Sequence, residues 1–109
     1  MKKLEVDGHI YEVKFNIGEL IILKNEKNCY LYSNRRGIFA EVIKCGNPPF
    51  FIKKVNGNLT FMGISFKVIQ RSEEGKKVLL TLRCGKTQLF FHIEEKTGKL
   101  LNVTFPIFN

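Results

Sequence analysis

The sequence predicts an all-β fold, a compact single domain over residues 1–109 that forms a barrel or a small sandwich of antiparallel hairpins, with little or no helix. The first indication is composition, because Ala, the best helix former, occurs once, at Ala40, whereas β-branched and aromatic residues are abundant. The second is an alternation of apolar and polar residues, which is the period of a half-buried strand. The third is spacing, because about ten such runs separated by Asn, Gly and Pro are typical of barrels and sandwiches.

The first hairpin is predicted by Asp7-Gly8, a dipeptide typical of two-residue type I′ turns. This turn places Val6 opposite His9 and Leu4 opposite Tyr11. In that register one face of the hairpin becomes an apolar stripe, composed of Leu4, Val6, Tyr11, Val13 and Phe15. The turn residues and the side-chain pattern therefore predict the same hairpin.

The next strands are predicted from apolar runs between turn formers, at residues 19–24, 29–33, 38–44 and 78–83. Leu20-Ile21-Ile22-Leu23 is apolar on both faces, as expected of a buried central strand. Residues 34–37 are predicted to form a four-residue loop that places Ser33 opposite Ile38. One face of this hairpin is then a core stripe, composed of Cys29, Leu31, Ile38, Ala40 and Val42, and the opposite face carries Tyr30, Tyr32 and Phe39.

Three features predict the organisation of the second half of the chain. Asn56-Gly57 is another type I′ signal, and it pairs Ile52 with Phe61. The apolar period slips by one position at Gly63, where we expect a β-bulge or a corner. A three-residue loop at residues 96–98, with its glycine left-handed, connects the last two strands. It places Leu89, Phe91 and Ile93 opposite Phe105, Val103 and Leu101.

No catalytic or cofactor motif is found in the chain, so the sequence predicts neither an enzyme nor a bound cofactor. The segment Cys84-Gly85-Lys86-Thr87 ends like a phosphate-binding P-loop, but Leu80 stands where the first glycine is required. We interpret this segment as a tight turn between two strands. No metal site is predicted, because the cysteines and His92 have spacings that match no zinc finger or ribbon.

The cysteines and the N-terminus predict an intracellular, cytoplasmic protein. Three cysteines are an odd number without C-x-x-C spacing, and we interpret them as free thiols in a reducing compartment. Met1-Lys2-Lys3 has the charge of a signal-peptide start, but Glu5 and Asp7 interrupt the apolar region that should follow. No apolar run approaches the length of a membrane span, so no membrane association is expected.

The strongest functional indication is charge. The chain has 18 Lys and Arg against 10 Asp and Glu, a net charge of +8, which attracts polyanions. We therefore expect a non-catalytic nucleic-acid-binding module of low sequence specificity, for single-stranded RNA or DNA in preference to a duplex, because no recognition helix is predicted. The candidate phosphate-binding residues after residue 50 lie mostly in turns or on outward strand positions: Lys53, Lys54, Lys67, Arg71, Lys76, Lys77, Arg83 and Lys86.

A candidate base-stacking platform lies in the first half of the chain. Its members are Tyr30, Tyr32 and Phe39 on one strand face, with Arg35 and Arg36 in the connecting loop. Aromatic rings beside arginines stack unpaired bases and hold phosphates in several single-strand-binding folds. Alternatively, the rings are buried beneath another part of the chain. The alternative function is a protein-interaction or structural subunit, such as a homodimer joined through exposed strand edges.

Overall fold

The computed structural model describes residues 2–26, 28–42, 45–52 and 57–106. In these ranges the chain forms antiparallel strands and no helix, which confirms the predicted all-β fold. The strands are β1 (Lys3–Val6), β2 (His9–Ile17), β3 (Leu20–Asn25), β4 (Asn28–Ser33), β5 (Ile38–Val42), β6 (Asn58–Phe61), β7 (Ile64–Glu74), β8 (Lys77–Cys84), β9 (Thr87–Glu94) and β10 (Leu100–Thr104). None of the described segments is a helix long and apolar enough to cross a membrane.

The strands form two five-stranded antiparallel sheets, ordered β1-β2-β3-β4-β5 and β10-β9-β8-β7-β6. Within each sheet a strand pairs with its neighbour along the chain, so the sheets are built from successive hairpins. One of the two sheets curves into a half-barrel. The main apolar core takes side chains from both sheets, and Ile22 of β3, Leu82 of β8 and Phe91 of β9 are completely buried in it.

The hairpin of β1 and β2 has the predicted register, with Val6 opposite His9. Its turn residues, Asp7 and Gly8, have φ angles of 49° and 82°, which are the left-handed values that a type I′ turn requires. The local turn signal was therefore sufficient to fix this pairing.

The apolar stripe predicted along β2 is interrupted by a register shift. Val13 is opposite Leu23, whereas Phe15 is opposite Ile22, so the pairing slips between these two positions of β2. Because successive residues of a strand point to opposite faces, the slip moves Phe15 to the face that carries the main core. Phe15 accordingly packs against that core, whereas the buried side chain of Tyr11 lies outside it.

The predicted pairing of Ile52 with Phe61 is wrong, and residues 53–56 lie outside the described part of the chain. Phe61 of β6 is opposite Ile64 of β7, whereas the Ile52 N–H donates to the Gly98 carbonyl over 2.7 Å. The segment before β6 therefore pairs with the turn between β9 and β10. The Asn-Gly signal is local and does not reveal this distant partner.

Gly63 lies in a hairpin turn and not at a bulge or corner. With Met62 it forms the two-residue connection between β6 and β7, and the φ angles are 53° for Met62 and 83° for Gly63. A two-residue turn leaves Phe61 and Ile64 opposite each other on one face, so the apolar period shifts by one position across the turn. The period slip at Gly63 therefore has a different cause from the predicted one.

The last hairpin has the predicted register only beyond residue 101. Nearer the turn, Leu100 takes the place opposite Ile93 that was predicted for Leu101, and Leu101 is 41% exposed at a register shift. The loop causes this shift in register. The Glu94 N–H donates to the Lys99 carbonyl over 2.9 Å, so the loop encloses residues 95–98 and not the predicted residues 96–98. A bulge at Leu101 then restores the pairing of the buried residues.

Hydrogen bonds between the two sheets position the candidate site. The turn between β2 and β3 meets β10, where the Glu19 N–H donates to the Val103 carbonyl over 2.9 Å. The Glu19 carboxylate accepts a hydrogen bond from the Phe105 N–H over 3.0 Å. At the other end of β10 the Leu100 N–H donates to the Phe50 carbonyl over 2.8 Å. Both ends of β10 are therefore attached to segments from the first half of the chain.

The prediction of three free thiols is wrong. Cys29 in β4 and Cys45 in the segment after β5 form a disulfide, with their Cα atoms 5.6 Å apart. Cys84 is the free cysteine, and it is exposed. Cys45 therefore lies beside β4, and this contact cannot be read from the spacing of the cysteines.

Candidate functional site

The hairpin of β4 and β5 has the predicted register, with Ser33 opposite Ile38 and residues 34–37 as the loop at its tip. The Gly37 N–H donates to the Asn34 carbonyl over 3.2 Å and closes this loop. The side chains of one hairpin face are buried in the core, among them Cys29, Leu31 and Val42. The predicted aromatic side chains lie on the opposite face.

Four aromatic side chains form a group on that opposite face, and we call them the aromatic cluster: Tyr11, Tyr30, Tyr32 and Phe39. The rings of Tyr30 and Phe39 stack, with centroids 5.0 Å apart and an interplanar angle of 16°. Tyr11 meets the same two rings edge-on at 5.3 and 5.5 Å, and Tyr32 meets Phe39 edge-on at 6.1 Å. Both stacked and edge-on pairs are favourable arrangements of aromatic rings.

The aromatic cluster is buried at one side and open at the other. Tyr11 is 6% exposed, whereas Phe39 is 43% exposed. Leu23, opposite Tyr30 in the neighbouring strand, is completely buried although it lies outside the main core. The outer face of the first sheet therefore has a small apolar cluster of its own. The sequence left two alternatives, an exposed platform and buried rings. Phe39 is exposed as in the first, and Tyr11 is buried as in the second.

The two arginines of the 34–37 loop have different environments. The Arg35 side chain is 77% exposed, and its guanidinium lies 3.9 Å from the Glu19 carboxylate. The guanidinium carbon of Arg36 lies 5.6 Å from the centre of the Phe105 ring, which follows β10 in the second sheet. This is the geometry of a cation–π contact. Arg36 therefore links the loop to the other sheet.

Arg36 also lines a cleft of about 630 Å³, which we call the basic cleft. Its lining residues are Arg36, Arg83, Gly85, Lys86, Thr87, Gln88, Phe105 and Pro106. Three elements meet there: the loop between β4 and β5, the turn between β8 and β9, and the residues after β10. Among the described residues that line the cleft, three are cationic and none is acidic.

One donor at the basic cleft has no acceptor. The Nε atom of Arg36 is buried and makes no hydrogen bond within the described part of the chain. A buried donor that lacks a partner costs about 1–3 kcal/mol. Only an acceptor that reached this nitrogen would recover that cost.

Two of the three cations of the cleft, Arg83 and Lys86, come from the end of β8 and from the turn that follows it. Cys84 is opposite Thr87, so Gly85 and Lys86 form a two-residue turn in which Gly85 has a φ of 60°. The segment that ends like a P-loop is thus the predicted tight turn. Next to it, Arg83 is opposite Lys67 on one side and opposite Gln88 on the other. Lys67 therefore extends the positive charge along the sheet beside the cleft.

Three other predicted basic residues, Arg71, Lys76 and Lys77, lie away from the cleft. Arg71 pairs with Glu73, with 3.1 Å between the guanidinium and the carboxylate. Lys76 and Lys77 lie at the turn between β7 and β8, and the six residue-to-residue steps from Lys77 to Arg83 span about 20 Å of strand. Lys53 and Lys54 are outside the described residues. The predicted basic residues after residue 50 therefore do not gather around the cleft as one set.

Several residues of these sites were not predicted. Tyr11 was assigned to the core stripe of the first hairpin, and Phe105 to the core. Gln88 and Pro106 carried no signal, and Thr87 was noted only as part of the P-loop-like segment that was interpreted as a turn. Only the pairing of β2 with β3 and of β3 with β4 would have placed Tyr11 near Tyr30, and that requires knowing two registers at once. Phe105 meets Arg36 only through the packing of one sheet on the other.

The sites described so far contain no arrangement typical of a metal centre. In the described ranges, no three His, Cys, Asp or Glu side chains converge as metal ligands. The His92 Nε2 lies 2.8 Å from the Thr104 hydroxyl, on the second sheet. Comparisons with protein-family models, with curated proteins and with solved structures found no match to this chain.

Proposed function

We propose that the protein is a non-catalytic nucleic-acid-binding module that holds the phosphates of single-stranded RNA or DNA in the basic cleft, with little sequence specificity. The observation that carries the proposal is the convergence of Arg36, Arg83 and Lys86 on one cleft whose described lining has no carboxylate. These cations come from two different elements, so their meeting is not a consequence of sequence adjacency alone.

The chemistry of the lining suits a phosphodiester. A guanidinium offers paired N–H donors that match two phosphate oxygens, and an ammonium adds a point charge. Thr87 and Gln88 can donate further hydrogen bonds from uncharged groups. The net charge of +8 would raise the local concentration of a polyanion before any contact forms.

The aromatic cluster supports a preference for unpaired bases. Tyr32 and Phe39 face each other one position before the pair that closes the 34–37 loop, so they lie next to Arg35 and Arg36 in the hairpin. A single strand that left the basic cleft around this loop would meet the exposed part of Phe39. Stacking on such a ring is tolerant of base identity. The described residues also contain no helix for reading a major groove.

The test is a titration of labelled single-stranded oligonucleotides at two salt concentrations. Arg83→Gln and Lys86→Gln are expected to weaken binding about tenfold each and to reduce the slope of affinity against salt by about 0.7 each, the value for one lost single-strand phosphate contact. Arg83 and Lys86 are both exposed, so neither substitution should change the melting temperature. Lys77→Gln, at the far end of β8, is the matched control and should have a much smaller effect.

Two results would contradict the proposal. One is the absence of binding at about 50 mM salt, where phosphate contacts are strongest. The other is an equal loss of affinity for Lys77→Gln and Arg83→Gln, which would mean that net charge alone acts and that the cleft has no role.

A separate prediction concerns Tyr32. If the aromatic cluster stacks bases, Tyr32→Ala should lose about 1–3 kcal/mol of oligonucleotide binding free energy, with the salt slope unchanged because no phosphate contact is removed. Affinity and thermal unfolding are measured on the same sample. A lower melting temperature with intact affinity would assign Tyr32 to the stability of the sheet and remove it from the interface.

The second candidate function is a protein-interaction or structural subunit, such as a homodimer joined through strand edges. It is favoured by large apolar side chains at the surface, of which Ile10 is 64% exposed and Phe51 is 57% exposed. An apolar interface of this kind would be insensitive to salt, whereas phosphate binding would weaken steeply. Measuring the oligomeric state and the oligonucleotide affinity over the same salt range separates the two functions.

A further inference from the structure

The disulfide between Cys29 and Cys45 joins two very different environments. Cys29 is 1% exposed and lies in the core-facing stripe of β4. Cys45 is exposed and lies in the segment that leads from the first sheet to the second. A small thiol or disulfide in solution can therefore reach the sulfur of Cys45 but not that of Cys29.

A lysine lies directly beside the exposed sulfur. The Lys14 Nζ is 3.2 Å from the Cys45 Sγ and 3.4 Å from the Gly46 carbonyl oxygen, so two contacts hold the ammonium at this position. A positive charge next to a cysteine favours its thiolate, which is the form that attacks a disulfide. When a thiol opens the disulfide, it attacks the accessible Cys45 sulfur, and Cys29 is the sulfur that leaves.

We propose that Cys45 is a redox-active site that exchanges with low-molecular-weight disulfides such as glutathione disulfide, with Cys29 as the resolving thiol. In oxidation the Cys45 thiolate attacks one sulfur of glutathione disulfide, forms a mixed disulfide and releases one glutathione thiolate. Cys29 then attacks the Cys45 sulfur, which forms the protein disulfide and releases the second glutathione as a thiolate, and the proton that Cys29 loses passes to this thiolate. Two protein thiols are oxidised, and one glutathione disulfide is reduced to two glutathiones.

The exchange would control how the connecting segment is attached. The disulfide fixes residue 45 to β4, and further along the same segment Phe51 is opposite Lys99 and the Ile52 N–H bonds to Gly98. With the disulfide closed, the segment is anchored to both sheets. With the disulfide open, covalent attachment to the first sheet is lost at this point. This inference does not depend on nucleic-acid binding.

The experiment uses the full chain with Cys84→Ser, so that only the two exchanging cysteines remain. Reduced protein is mixed with glutathione disulfide, and the products are followed by mass spectrometry. We expect the intramolecular disulfide to form without unfolding, and Lys14→Met to slow its formation about threefold, the net of a smaller thiolate population and a more nucleophilic thiolate. Lys96→Met, which removes an exposed lysine in another turn, is the control and should leave the rate unchanged.

A second variant identifies the attacking sulfur. With Cys29→Ala the mixed disulfide between Cys45 and glutathione should accumulate, because the resolving thiol is absent, whereas Cys45→Ala should react far more slowly. The proposal is overturned if Lys14→Met reacts as fast as Lys96→Met. It is also overturned if glutathione opens the disulfide of the oxidised protein only under denaturing conditions, which is the behaviour of a purely structural bond.

Discussion

Gly18→Ala is expected to lower the free energy of unfolding by about 2–5 kcal/mol, the sum of a left-handed backbone cost of about 1–2 kcal/mol and an overpacking cost of about 1–3 kcal/mol. Gly18 has a φ of 60°, in the turn between β2 and β3. A Cβ atom built there would collide with the Asn102 side chain and the Val103 carbonyl oxygen. That carbonyl also accepts the hydrogen bond from Glu19, so the turn cannot move away without breaking a bond between the two sheets.

Gly75→Ala is the matched control for this prediction. Gly75 has a φ of 62°, but a Cβ atom at this position has no neighbour within 4 Å. Gly75→Ala should therefore lower the free energy of unfolding only by the backbone strain, about 1–2 kcal/mol. Urea denaturation of both variants gives the comparison, and equal losses would show that the contact between the turn and β10 is not tight in solution.

Tyr11→Ala is expected to lower the free energy of unfolding by about 3–5 kcal/mol, the range for truncating a buried aromatic side chain. Tyr11 is 6% exposed and packs edge-on against both Tyr30 and Phe39, so its loss opens a cavity next to two rings. Phe39→Ala is the control. Phe39 is 43% exposed, so its truncation should cost clearly less.

The same pair of variants separates stability from binding. Under the proposed function, Phe39→Ala should weaken oligonucleotide binding with a small change in melting temperature. Tyr11→Ala should show a large drop in melting temperature, measured by differential scanning calorimetry. A stability loss for Tyr11→Ala no greater than that for Phe39→Ala would contradict the assignment of Tyr11 as the buried base of the aromatic cluster.

Local signals in the sequence were sufficient for the fold class and for two hairpins. Asp7-Gly8 fixed the first hairpin because both residues tolerate the left-handed φ of a type I′ turn. In β4 and β5 the alternation of side chains and the length of the loop agreed on one register, which placed Tyr30, Tyr32 and Phe39 on one face. These features depend on residues only a few positions apart, so they can be predicted from a single sequence.

The same reasoning failed where a turn lacked its usual residues. Met62 takes a φ of 53° in the turn before β7, although methionine is unfavourable in that conformation, so the Met62-Gly63 turn gave no recognisable signal. Conversely, Asn56-Gly57 gave a strong signal, yet residue 52 before it pairs with Gly98. Register shifts in β2 and β10 then moved Phe15 and Leu101 away from their predicted faces.

By itself, the sequence determined the β-rich composition, the positive charge, and the face on which the aromatic residues of β4 and β5 lie. Only the tertiary structure decided that Arg36 meets Arg83 and Lys86, that Tyr11 joins the aromatic cluster, and that Cys29 bonds to Cys45. The physical reason is the range of the interactions. Strand period and turn geometry act between near neighbours, whereas these contacts depend on how strands distant in the chain, and the two sheets, pack against each other.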